Sequence, residues 1–378
     1  NGATSSGSAN KNITQITIEN GCIKNSVFGG GKGSTRYTPK VYGNITVTVN
    51  NGNIGNVYGG NDAAGSPSNK DVVYLNNGTI GNAYGGGNKT GQTKTEIYLQ
   101  GAQVTNKLFG GSNESGTVNT TNVYITSGTA ANVYGGNNLG GKTTTDNIQI
   151  TGGTITGDVY GGGSQADTEN TNLYLGIAKI NNVYGGGERA SATTTNLQIE
   201  NSDIGNVYGG SNISGIVNTA TINMTDGTVG TIYGGNNSGG TTNTSEITIN
   251  NGVIDAIYGG GNKATSTYTT ININNANVNN IYGGGNQVAL DTATRNIGQG
   301  DIGNTYGGTN QSSNIVRTII NISNNPLISV DNIYGGNNKG GSTNDSTVDV
   351  RGGTIGNIYG GGNEAVVDMP NVQVQNAT

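Results

Sequence analysis

The sequence predicts an all-β chain wound as a single-stranded right-handed parallel β-helix, a β-solenoid of about 14 coils of 24–26 residues. Three observations carry this prediction. The first is a recurring phrase, seen plainly at Val207-Tyr208-Gly209-Gly210. Its aromatic falls at Phe28, Tyr58, Tyr84, Phe109, Tyr134, Tyr160, Tyr184, Tyr208, Tyr233, Tyr258, Tyr282, Tyr306, Tyr334 and Tyr359, each followed by Gly-Gly, at separations of 30, 26, 25, 25, 26, 24, 24, 25, 25, 24, 24, 28 and 25 residues. The second is period-2 alternation in each coil, the pattern of a half-buried strand. The third is the absence of any i, i+3, i+4 apolar spacing, so helix content is expected to be close to nil. The coils are too long for short-coil left-handed or calcium-roll solenoids, and no periodic Asp supplies calcium ligands.

Taken in order, residues 1–10 (Asn-Gly-Ala-Thr-Ser-Ser-Gly-Ser-Ala-Asn) read as a flexible lead-in, and residues 11–378 as one continuous solenoid. The first strand is expected at Thr14 to Ile18. A typical coil places Thr195, Leu197 and Ile199 inward, turns at Asn201-Ser202-Asp203, and forms a second short strand at Val207-Tyr208. The inward pair recurs at Ile45/Val47, Val73/Leu75, Ile97/Leu99, Val123/Ile125, Ile222/Met224, Ile247/Ile249 and Ile320/Ile322, with Thr46, Tyr74, Tyr98, Tyr124, Asn223, Thr248 and Asn321 between, facing out. Thr95, Thr121, Thr171, Thr195, Thr269 and Thr318 share the inward phase, which argues against an ice-binding hydroxyl face. Proline cannot donate to a ladder, so Pro39, Pro67 and Pro326 mark loop excursions near 31–42, 61–71 and 311–330. Val372 and Val374 look like the start of a fifteenth coil, and no capping helix closes either edge. Parallel stacking at ~4.8 Å makes fourteen coils a rod of roughly 65 Å.

Composition narrows the function. Charged residues are 10% and net charge is −5, with Lys and Arg scattered singly, so neither nucleic acid nor an anionic membrane surface is an expected partner. No apolar run approaches the ~20 residues of a membrane helix. One cysteine, Cys22, cannot form an intrachain disulfide and is expected to be buried beside Ile23. The chain opens at Asn1 and is expected to be a mature or excised form. Scarce charge with abundant Gly, Asn and Thr suits an extracellular or cell-surface location.

Chemistry has few candidates. There is no histidine, which excludes Ser-His-Asp and Cys-His arrangements and His-ligated metals. Gly85-Gly86-Gly87 lacks the Lys-Ser or Lys-Thr of a phosphate loop, so the glycines are expected to serve positive φ or close backbone stacking at a corner. The nearest carboxylate grouping is Asp345, Asp349, Arg351, Glu364 and Asp368, expected to be a solvated end. No catalytic residue, metal or cofactor is assigned. Two ladders remain. Asn stands two before the aromatic at 56, 82, 132, 182, 206, 280, 304, 332 and 357, where stacked coils would join amide to amide. The fourteen aromatics would stack ring on ring. Tolerance of Lys107 and Asp158 two before the ring argues that those positions face out, which sends Val207 inward and Tyr208 outward. A buried aromatic stack is the alternative.

Phrases such as Asn206-Val207-Tyr208-Gly209-Gly210, Ile257-Tyr258-Gly259-Gly260-Gly261-Asn262 and Ile358-Tyr359-Gly360-Gly361-Gly362-Asn363 resemble the repeats of very large adhesin-like surface proteins of anaerobic bacteria and archaea. The resemblance covers nearly the whole chain. It implies a secreted β-helical stalk or surface fibre and carries over no functional residues. The expectation is therefore a non-enzymatic structural protein that self-associates end to end or through the Tyr face. A carbohydrate-binding module using the Tyr ladder is the alternative, and a polysaccharide-acting enzyme the third.

Overall fold

The structure, a computed structural model, describes residues 13–39, 41, 43–65, 69–311 and 313–378. The lead-in at 1–10, Tyr42 and Pro67 lie outside the described residues. The described chain is the expected all-β solenoid: 28 strands, parallel in their pairing, and no helix. Two compact units carry it, Asn1–Asn181 with Gly186–Ala192, and Asn182–Gly185 with Thr193–Thr378.

In the first unit the leading strands of successive coils, Thr14–Ile18, Ile45–Val49 and Lys70–Leu75, pair in register. Ile16, Val47 and Val73 align, as do Ile18, Val49 and Leu75. The trailing strands Cys22–Phe28, Asn53–Tyr58 and Thr79–Tyr84 align Phe28, Tyr58 and Tyr84. In the next two coils both legs join into 18-residue strands, Gln92–Phe109 and Thr117–Tyr134, with register shifts at the corner. In the second unit the leading strands Ile216–Met224, Thr241–Ile249 and Thr265–Ile273 stack in the same way. So do the trailing strands Ser202–Tyr208, Gly227–Tyr233 and Val253–Tyr258.

The alternation decides what is buried. Ile222, Met224, Ile247 and Ile249 are buried, while Asn223 and Thr248 between them are not. Burying about three aliphatic side chains per coil contributes several kcal/mol at ~0.8 kcal/mol per methylene. The inward Thr95, Thr121, Thr171, Thr195, Thr269 and Thr318 are buried as well. Their hydroxyls serve one purpose where the donor is resolved: each donates to the carbonyl of the first Gly after the aromatic. The bonds are Thr95 to Gly110 (2.6 Å), Thr121 to Gly135 (2.7 Å), Thr269 to Gly283 (2.6 Å) and Thr318 to Gly335 (2.7 Å).

Three expectations need correction. Residues 311–330 are mostly not a loop. Strands Ser313–Ile322 and Ile328–Tyr334 occupy them, and only 323–327, with Pro326, connects the two. The apolar alternation through Ile315, Ile320 and Ile322 outweighs the single proline. In the second excursion, strand begins already at Lys70, so Asp71 is in the ladder. Cys22 is exposed, because it opens its strand in the outward phase and leaves the inward position to Ile23.

One residue breaks the aliphatic column. Arg295 aligns with Ile271 on one side and Ile320 on the other, and it is fully buried. The column beside it supplies the reason. Ala293 stands where Thr269 and Thr318 bring hydroxyls, so Gly307 lacks its donor. Arg295 Nη1 donates to Gly307 O at 3.1 Å and also to Tyr306 O. Nε and Nη2 have no partner, and burial pushes the guanidinium down to about 9. A buried cation with unpaired donors costs stability. The double substitution Ala293→Thr with Arg295→Ile restores the residues of the neighbouring coils. It is expected to stabilise the chain by about 1–4 kcal/mol in chemical denaturation. A lower denaturation midpoint would contradict this account.

Candidate functional site, an aromatic stack between asparagine ladders

The ring ladder forms as the spacing predicts. Within the first unit the rings from Phe28 to Tyr160 stack at centroid separations of 4.5 to 5.2 Å. Within the second, Tyr184 to Tyr359 stack at 4.6 to 4.9 Å and within 9° of parallel. The rings do not belong to the aliphatic core. Tyr258, Tyr282 and Tyr306 form a cluster of their own, with Tyr233, Ala256 and Tyr334 packed against it.

They do not form an exposed stripe either, which corrects the outward-facing expectation. Tyr58, Tyr84, Phe109, Tyr134, Tyr160, Tyr184, Tyr208, Tyr258, Tyr282 and Tyr306 are at most 8% exposed. Phe28, Tyr233 and Tyr334 are partly buried, and Tyr359 is exposed. Within each unit, every ring that lies between two others has both faces covered by them, and amides border the stack. A ring so covered offers no face on which a sugar could stack.

The first amide border is the expected ladder two residues before each ring. Asn82 donates to Asn56 (2.9 Å), Asn206 to Asn182 (2.9 Å), Asn304 to Asn280 (3.1 Å), Asn332 to Asn304 (2.9 Å) and Asn357 to Asn332 (2.9 Å). Asn132 instead accepts from the backbone N–H of Asp158 at 2.9 Å.

The second border was missed. It lies four residues after the ring, where Asn113 donates to Asn88 (2.9 Å), Asn138 to Asn113 (2.8 Å), Asn262 to Asn237 (3.0 Å), Asn286 to Asn262 (2.9 Å) and Asn310 to Asn286 (2.9 Å). Its signal is the Asn that closes the Gly-Gly-x-Asn phrases, x being Gly, Asn, Ser or Thr. This second border meets the rings at the hydroxyl end. Asn113 donates to the Tyr58 hydroxyl, two coils away in sequence.

The glycines make the corner stackable. Gly209 N–H donates to Tyr233 O (2.8 Å) and Gly210 N–H to Gly235 O (3.2 Å). A Cβ on Gly209 would collide with the carbonyl of Gly234, and one on Gly210 with the Asn236 side chain. Neither glycine has positive φ. Close approach is therefore the reason for this pair. Positive φ is instead used at the turn before the trailing strand, as at Gly227 and Gly252.

In the first unit charge enters the borders at Asp62, which accepts from Asn88 at 3.0 Å, and around Lys107. Lys107 replaces Asn, with its ammonium 5.1 Å from the Tyr134 ring centroid. Glu188 accepts from the Tyr134 hydroxyl and the Ser164 hydroxyl, both at 2.9 Å, and lies 3.9 Å from Lys107. Asp158 accepts from the Tyr160 hydroxyl at 3.1 Å. Burial, then Glu188, pushes the Tyr134 phenol well up. A second, shorter stack of Tyr74, Tyr98 and Tyr124 runs at 4.9 and 4.8 Å on the outward face, beside Glu96, which bridges Lys70 and Lys94. Of the C-terminal charged grouping, the structure pairs Arg351 with Asp349 at 2.7 Å. No protein-family model matches the sequence, and no curated protein or solved structure is similar to it.

Two outcomes follow from this geometry. Tyr258→Ala opens a gap between Tyr233 and Tyr282, and it is expected to cost about 3–5 kcal/mol in denaturant unfolding. Asn286→Ala removes one rung and is expected to cost only about 1–2 kcal/mol; equal losses would refute the ranking. Burial, aided by nearby charge, pushes Tyr58 and Tyr306 up to about 12. Their folded values lie above the ordinary 10.0, so the stability they contribute is full below pH 10 and is lost as pH rises towards 12. Phenolate absorbance of the native chain should therefore lag that of the denatured chain at pH ~11. Coincident titration curves would contradict the buried stack.

Proposed function

We propose that the chain is a non-enzymatic structural segment of an extracellular or cell-surface fibre, an adhesin-like stalk. One observation carries this reading. The side chains that recur in every column serve the stack: rings and amides pair from coil to coil, and the threonine hydroxyl ties the corner carbonyl across its own coil. The sequence is spent on cohesion along the stacking direction. The repeats' resemblance to adhesin-like surface proteins favours the same role and the same location.

The finer form of the proposal is head-to-tail assembly. The strand Glu364–Val374 aligns Val348 with Val372 and Val350 with Val374. Val372 and Val374 are 39% and 51% exposed and Tyr359 is 45% exposed, where their equivalents in inner coils are buried or, at Tyr233 and Tyr334, partly buried. A coil bearing the repeat's own phrase covers them. In a filament that coil is Thr14–Phe28 of a second copy, with Ile16 and Ile18 set over the valines and Phe28 over Tyr359. Self-association through the Tyr face is not proposed, because that face is already covered.

Negative-stain electron microscopy across a concentration series tests assembly. Lengthening filaments are expected, and Val374→Asp should shorten them. Strictly monomeric particles at high concentration would overturn the filament form. Antibody labelling of intact source cells tests the location, and label confined to the interior would overturn the surface role.

A further inference from the structure

One coil departs from the repeat in several columns at once, though it keeps the aliphatic pair Ile148/Ile150 and the ring of Tyr160. It runs from Lys142 to Ser164 in the first unit. Its leading strand, Lys142–Ile150, carries Asp146 in the inward column where the preceding coil has Thr121 and the following coil has Thr171. Its trailing strand is split into Thr154–Ile155 and Asp158–Tyr160, whereas the neighbouring trailing strand Lys179–Tyr184 is unbroken. Gly152, Gly153 and Gly157 fall around that split. Both amide borders are interrupted there too, by Asp158 and Ser164 in place of Asn.

Asp146 is fully buried. Its carboxyl is caged by three hydroxyls drawn from three successive coils. Oδ2 accepts from Thr143 at 2.8 Å and Thr168 at 2.7 Å, and Oδ1 lies 2.9 Å from the Thr121 hydroxyl, whose proton goes to Gly135 O, so the neutral acid can donate to Thr121 Oγ1. The elements packed against it are the strands bearing Thr121 and Thr168, its own strand with Thr143, and the Gly135–Gly136 corner. No charged or titratable group faces the carboxyl from any of them. The next carboxyl along the same column is Asp71, separated from it by Thr95 and Thr121. The charged Lys107, Asp158 and Glu188 lie on the ring side of the corner, with the ring stack.

We propose that coil 142–164 is a proton-operated joint: the neutral carboxylic acid of Asp146 closes it, and ionisation of that acid inside the dry cage lets this coil open while its neighbours stay wound. The cage alone does not hold the anion, since burial outweighs the three hydroxyls and pushes the acid up to about 6. The folded value lies above the ordinary 3.8. Stability at the joint is therefore full below pH ~3.8, falls across pH ~3.8 to 6, and is flat above. The split strand and the glycines make this coil the least costly place to open. The joint is a property of the coil and holds whether or not the chain serves as a stalk.

Hydrogen exchange read segment by segment at pH 4 and pH 7, corrected for intrinsic rates, tests this. In the full wild-type chain, protection of amides in 142–164 is expected to fall on the order of fiftyfold between the two pH values. Protection of Thr241–Ile249 should not change. In Asp146→Thr, which installs the residue of the adjoining coils, and in Asp146→Asn, the drop should vanish. Unchanged wild-type protection in 142–164 would overturn the proposal, and so would an equal drop in Asp146→Thr.

Discussion

In-register parallel pairing is the constraint on which everything else depends. It sets each residue ~4.8 Å from its counterpart in the next coil, so every column meets itself. The arrangement rewards side chains that attract their own kind. Tyr stacks at 4.6 to 4.9 Å in the second unit, and Asn joins amide to amide at 2.8 to 3.1 Å. It penalises charge, since like ions at that spacing repel by about 1 kcal/mol even in water, and the repulsion recurs at each coil. That accounts for a chain with 10% charged residues. Where two cations do align, at Lys70 and Lys94, Glu96 stands between their ammonium groups. On the ring border, Lys107 and Asp158 are separated by Asn132 rather than stacked.

The four-residue phrase is the local answer to that constraint at a corner. The aliphatic residue enters the core and the aromatic turns to a separate stack outside it. Two glycines leave room for the corner above. A threonine on the opposite leg, 14 residues earlier in the case of Thr269 and Gly283, ties the corner carbonyl from within. The corner is thus held between a hydroxyl column inside and an aromatic stack outside. Arg295 reaches the same carbonyl from a coil with Ala293 in the hydroxyl column, whereas the coil with Ala220 in that column keeps an aliphatic Ile222.

Much of this was legible in the sequence, because a repeat reports its own register. Once the rings were placed, the strands, the aliphatic columns, the inward threonines and the first Asn ladder followed from period and alternation. Exposure of the rings was not legible. Alternation tells which way Tyr208 leaves the strand, but its covering comes from Tyr184, Tyr233 and the amide borders, which are collective. The second Asn ladder was hidden because it lies past the glycines, where the period-2 pattern stops. The strands inside 311–330 are obscured by Pro326, a breaker signal whose reach is only 323–327. Arg295 is not legible because a charge in the inward phase carries no apolar signal.

The departures also differ in kind. Asp146 sits in a cage of three hydroxyls, Arg295 reaches two carbonyls and leaves two nitrogens unpaired, and Asp71 accepts no hydrogen bond from the described residues. A globular domain with a single core would spread the cost of such groups through the whole fold. In a solenoid each coil touches only its neighbours, so the cost stays where it arises. The same one-dimensional architecture that makes the columns uniform allows one coil to answer to pH while the coils beside it do not.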